Sequence, residues 1–127
     1  MATKTEIKTA QIPNDIKKYV DIVIEELKRK IETGDFRIEI NYDSIAIKIS
    51  DINVYLSKSR MYIIYKDIDI IYSDYSSDNY VVIKVFRDLY NDPEIYRAYE
   101  YWDTLVALHD MAKEKVKERL EKVLNEF

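Results

Sequence analysis

Between Phe36 and Phe86 the apolar residues fall at every second position, which restricts the middle of the chain to strands with one buried face. Phe36, Ile38, Ile40 and Tyr42 alternate with Arg37, Glu39 and Asn41. Ile45, Ile47 and Ile49 continue the pattern, and after a one-residue slip at Ser50-Asp51 so do Ile52, Val54 and Leu56. Met61, Ile63 and Tyr65 precede a second slip at Lys66-Asp67, with Ile68, Ile70 and Tyr72 beyond it. A last run covers Tyr80 to Phe86.

Two-residue hairpin turns favour Gly or Asn, and neither slip contains one. The alternation therefore predicts two long strands, 45–56 and 61–72, each with a bulge, joined over Ser57-Lys58-Ser59-Arg60. Opposed residues of an antiparallel pair share a face, which fixes a register. A turn at Asp43-Ser44 pairs Tyr42 with Ile45, Ile40 with Ile47 and Ile38 with Ile49. The central hairpin pairs Leu56 with Met61, Val54 with Ile63 and Ile52 with Tyr65. Beyond the bulges Ile49 meets Ile68, Ile47 meets Ile70 and Ile45 meets Tyr72. The last strand sets Tyr72 against Val81, Ile70 against Ile83 and Ile68 against Val85. On the opposite, exposed face the register aligns Glu39, Lys48, Asp69 and Lys84 in a row of alternating sign. The hairpin 52–65 then outreaches its neighbours as an arm by about 20 Å at strand rise.

Outside this block the period is helical. Ile16, Tyr19, Val20, Val23, Leu27 and Ile31 mark a helix from about Asn14 to Thr33, stopped by Gly34, the single glycine of the chain. Asp92-Pro93-Glu94 reads as a capping acid, a proline at the first helical position and an acid in the first turn. From there Ile95, Ala98, Trp102, Leu105, His109, Ala112, Val116, Leu120, Val123 and Phe127 keep a stripe to the C-terminus. Such a helix would be roughly 52 Å long, against about 36 Å for a compact domain of this size, so it bends or overhangs. Residues 1–12 are polar and read as a disordered tail or an added edge strand. The expected fold is α+β and two-layered: an antiparallel four-stranded meander with the N-terminal and the long C-terminal helix on one face, order α-β-β-β-β-α, in one domain spanning 1–127.

Composition excludes much chemistry. The 127 residues carry no cysteine and one histidine, so thiol nucleophiles, Cys-ligated metals, His-based triads and multi-histidine sites are ruled out. One glycine leaves no phosphate-binding loop or dinucleotide fingerprint. No apolar run is long enough for a membrane span, and residues 1–12 do not resemble a signal peptide, so a cytoplasmic protein is expected. Abundant Ile, Lys, Glu and Tyr with one Gln suggest a thermophilic archaeon or archaeal virus as source, with the host cytoplasm as location in the second case.

The sequence points to no catalytic, cofactor or metal residue. His109 reads as a packing residue of the helix stripe. Asp67 and Asp69, with Asp74 and Asp78, invoke a metal-dependent nuclease, but turn and cross-strand roles account for them more simply. The features that ask for a partner are the arm and the overhanging helix. Tyr55, Tyr62 and Ile64 give the arm a second apolar face, and Val116, Leu120, Val123 and Phe127 stripe the helix. These predict a non-enzymatic protein-interaction module, a homodimer that binds itself, with another protein as a further candidate partner. The alternative is a nucleic-acid binder using the Lys58- and Arg60-tipped arm, opposed by the net charge of −4.

Overall fold

The computed structural model describes residues 12–42, 44–88 and 90–125, with side chains of the last helix described as far as Glu121. The expectation for residues 1–11 lies outside the described residues; Ile12, at their border, is buried in the core.

Helix α1 (Asn14–Thr33) buries Ile16, Val20, Val23, Leu27 and Ile31 as their spacing predicts, with Ile24 added, while Tyr19 at the margin of that face is exposed. Gly34 ends it in the left-handed region (φ 77°, ψ 13°), with its N–H and that of Asp35 closing on the carbonyls of Ile31 and Lys30. Seven strands follow: β1 (Arg37–Ile40), β2 (Ile45–Ile49), β3 (Ile52–Leu56), β4 (Arg60–Tyr65), β5 (Ile68–Ser73), β6 (Val81–Val85) and β7 (Glu94–Ala98). Helix α2 (Trp102–Asn125) completes the fold. All strands are antiparallel and lie in chain order, so the sheet is an unbroken meander.

The α+β class, the antiparallel meander and the two flanking helices agree with expectation, but the sheet has seven strands where four were expected. Both slips are hairpins. Ile49 pairs with Ile52 and Tyr65 with Ile68, so each long strand is two. The first turn residue takes a left-handed backbone in each, Ser50 at φ 45° and Lys66 at φ 51°. A non-glycine residue there costs roughly 1–2 kcal/mol. Full cross-strand pairing on both sides of the turn offsets that cost. The hairpin 52–65 is consequently no arm, since β3 and β4 are paired along both edges in the middle of the sheet.

The first hairpin turns one residue earlier than expected. The Asn41 N–H donates to the Ser44 carbonyl (2.9 Å), and Ile38 meets Ile47 while Ile40 meets Ile45. This moves the register by two residues, which leaves every side chain on its predicted face but carries Tyr42 to full exposure at the turn. The pairings of β3 with β4 and of β5 with β6 are as the alternation predicts.

The seventh strand replaces the expected start of the second helix. Asp92-Pro93-Glu94 leads into β7, where Tyr96 and Ala98 are buried opposite Ile83 and Val81. Pairing with β6 overrides the capping pattern, and Ile and Tyr are favourable strand residues. The helix starts at Trp102 instead, so its 24 residues reach about 36 Å and the overhang disappears.

One row of residues runs through the core: Ile38, Ile47, Val54, Ile63, Ile70, Ile83 and Tyr96, each opposite the next. Both helices pack on this face, their buried residues joining the same apolar cluster. They are tied together by the Tyr101 hydroxyl donating to Asp21 (2.6 Å) and by Lys17 with Glu100 (2.6 Å). At the far end Arg119 of α2 donates to the carbonyls of Phe36 (2.6 Å) and Gly34 (2.7 Å) and lies 4.0 Å from the centre of the Phe36 ring. That contact fixes the end of α2 to the link between α1 and the sheet.

Two stability measurements check this arrangement. Gly34→Ala should cost about 1–2 kcal/mol in urea denaturation, because its φ is positive and the new Cβ would sit 3.4 Å from Arg119 Nη2. Ile63→Ala or Ile70→Ala should cost about 2–5 kcal/mol, whereas Ile40→Ala, at 70% exposure, should cost less than about 0.5. Equal costs for Ile63 and Ile40 would refute the contrast between a buried sheet centre and an exposed β1 edge on the helix-covered face.

Candidate interaction surfaces

The helices cover one face of the sheet, and no described element packs on the other. On that open face the middle row reads Glu39, Ala46, Tyr55, Tyr62, Ile71, Val82 and Arg97. The neighbouring row reads Arg37, Lys48, Asn53, Ile64, Asp69, Lys84 and Ile95. Ile64, Ile71, Val82 and Ile95 are only half-buried, and none belongs to the apolar core.

Tyr55, Tyr62 and Ile64, chosen from the sequence because something should cover them, all lie here. Tyr55 is directly opposite Tyr62 at the centre of the sheet. The Tyr62 hydroxyl donates to Asp69 Oδ2 at 2.6 Å, and this bond, with burial second, pushes the phenol up to about 12. Asp69 is 8% exposed, so the expectation of an exposed carboxylate is corrected. The expected charge row is also corrected. Lys84 does face Asp69, but Lys48 is three strands away, with β3 and β4 between, and pairs with Glu39 instead (3.4 Å).

Cations lie against the tyrosines of this face. Lys48 is 5.5 Å from the Tyr55 ring centre and Arg97 is 4.7 Å from that of Tyr80, which meets Tyr99 edge-on at 5.9 Å. The Arg97 Nε is buried with no hydrogen-bond partner among the described residues. Arg60 stands on the same face at the start of β4, as an exposed strand residue and not as the tip of an arm. Sequence reasoning placed Lys84 on this face beside Asp69 but missed Arg97. Arg97 could not be placed while 94–98 was read as helix.

A second surface lies at the β1 edge. A groove of about 590 Å³ separates the β1–β2 and β3–β4 turns from α2, floored by Ile40, Ile45, Leu56, Val116 and Leu120, with Lys58, Lys113 and Lys117 on its rim. Lys58 is exposed in the β3–β4 turn, outside the open face, and its carbonyl accepts from Lys113 Nζ (3.4 Å). Val116 is buried under α2, which corrects its reading as an overhanging residue, while Leu120 is partly buried. The Val123 side chain and Phe127 lie outside the described residues.

His109 is 2% exposed, and its Nε2 donates to the Ser57 carbonyl at 2.9 Å beside the Tyr72 ring. Asp67 occupies the β4–β5 turn, where its carbonyl accepts from Phe86 N–H (2.8 Å). Among the described residues no three His, Asp or Glu side chains come close enough to hold a metal ion. No helix among them is long and apolar enough to cross a membrane.

The tyrosine bonds predict alkaline sensitivity. Tyr62 and Tyr96 ionise near 12 in the fold, and burial also raises Tyr101, against about 10 in an unfolded chain. The unfolded state therefore releases protons first. The stabilisation is complete below pH 10 and is lost as pH rises toward 12. Urea midpoints should fall over that range, less steeply in Tyr62→Phe; a flat profile would contradict the Tyr62–Asp69 bond. Comparison with protein-family models, with curated proteins and with solved structures finds no match, so a function has to be argued from these surfaces.

Proposed function

We propose that the protein is a non-enzymatic interaction module that works as a homodimer, two copies meeting along β1 and the groove beside it. The observation that carries this reading is a sheet edge, unpaired among the described residues, that is bordered by apolar surface. Among the described residues β1 pairs only with β2, Ile40 is 70% exposed, and Tyr42 is fully exposed in the turn after the strand. Open edges of this kind are templates for pairing with another strand.

The residues of β1 favour a second copy. Because Asn41 N–H reaches across to Ser44, ladder alternation turns the N–H and C=O of Ile38 and Ile40 outward. A two-fold pair with Ile38 opposite its twin keeps all faces matched. It sets Arg37 of each copy opposite Glu39 of the other, twice. Moving the register by two residues would oppose Glu39 to itself. Four edge residues are too few for a stable interface of about 1,000 Å², and the groove with Ile40, Leu120 and Tyr42 supplies further apolar area.

The non-enzymatic part rests on how the candidate reactive groups are engaged. The His109 ring nitrogen is bound to a carbonyl inside the core, and Asp69 accepts from Tyr62.

Light scattering after size exclusion at micromolar concentration should give a mass near twice 15.2 kDa. Leu120→Asp should shift it toward the monomer. So should Ile38→Pro, which removes an outward N–H while sparing the β1–β2 ladder. A monomeric wild type would overturn the proposal.

A further inference from the structure

The chain is acidic overall, which argues against nucleic acid, but its charges are segregated. The strand residues that face the open side include Arg37, Lys48, Arg60, Lys84 and Arg97 against only Glu39 and Asp69, Glu94 of β7 standing on the other face. Glu39 pairs with Lys48, and Asp69 accepts from Tyr62. Among the described residues Arg37, Arg60 and Lys84 have no carboxylate within ion-pairing distance. The negative net charge resides elsewhere, including the strand-end turns with Asp51, Asp67, Asp74 and Asp78.

Between the cations lie aromatic rings. Tyr55 and Tyr62 are cross-strand neighbours at the centre, and Tyr80 and Tyr99 form a second pair toward β7. Rings set among cations on an open sheet suit unstacked bases, which offer a π-face to each ring and a phosphate to each cation. A duplex keeps its bases stacked inside and could use only the cations. The acidic turns at both strand ends direct an anionic chain across the strands, over roughly 29 Å from β1 to β7 at ordinary strand spacing. We infer that the open sheet face binds single-stranded nucleic acid, with bases stacked on Tyr55 and Tyr62 and the backbone held by Arg60, Lys84 and Arg97. This surface is separate from the β1 edge and does not depend on the dimer.

Fluorescence anisotropy with labelled oligothymidylate and oligouridylate of about 15 nucleotides tests it, with a duplex of equal length and polyglutamate as comparators. Both single strands should bind at low salt, more tightly than the duplex, and polyglutamate should displace them poorly. Tyr55→Ala should weaken binding about tenfold. Arg60→Gln and Lys84→Gln should each reduce the salt slope by about 0.7, the share of one phosphate contact on a single strand. Tyr55→Phe keeps the ring and should retain affinity, which separates stacking from a folding defect. Absence of binding at low salt, equal binding of duplex, efficient displacement by polyglutamate, or affinity unchanged in both Tyr55→Ala and Lys84→Gln would overturn the inference.

Discussion

One-sided burial governs this fold. Both helices cover the same face of the sheet, so every hairpin has to return its apolar side chains to that face, and a slip of one residue anywhere would turn a strand inside out. The row from Ile38 through Ile63 to Tyr96 shows the constraint satisfied across all seven strands. Ser50 and Lys66 accept left-handed backbones because a two-residue reversal is what keeps Ile49 with Ile52 and Tyr65 with Ile68 in phase. The charged and aromatic open face follows from the same rule, since whatever is excluded from the core side must stand there.

That constraint explains what could be read from the chain. Helix α1 and its stop were legible because a 3.6-residue period and one glycine mark them locally. The faces of the strands were legible because alternation determines them whatever the register. Counting the strands required knowing where the chain reverses, and Ser50-Asp51 and Lys66-Asp67 lack the residues that announce a turn. Strand β7 was concealed more thoroughly, because Asp92-Pro93-Glu94 has the local chemistry of a helix start while its partner β6 is distant information. Of the candidate surface, Tyr55, Tyr62 and Ile64 were visible as an uncovered apolar face and Lys84 as a neighbour of Asp69, but Arg97 joined them only through the sheet. Overall charge was a poor guide because it averages over faces that the fold separates.

The two surfaces have different physical characters. The β1 edge offers directional backbone groups beside an apolar groove, which suits a partner of defined strand register. The open face offers π-surfaces and cations without a deep cavity, which suits an extended and chemically repetitive partner. A two-fold pairing of β1 edges would put both open faces on the same side of one continuous sheet.

The strict chain order of the strands also bears on how the molecule forms. Each strand pairs with the next, so every sheet contact closes only a short loop, and hairpins can add to one another with little loss of chain entropy at each step. Among the described residues the polar side-chain contacts that span most of the chain each involve a helix or the residues beside it: Tyr101 with Asp21, Lys17 with Glu100, Arg87 with Asp15, and Arg119 with Gly34 and Phe36. Topology thus divides assembly into a fast, local sheet and a late docking of α2 onto α1, with the polar bonds of Tyr101 and Arg119 closing the chain's longest loops.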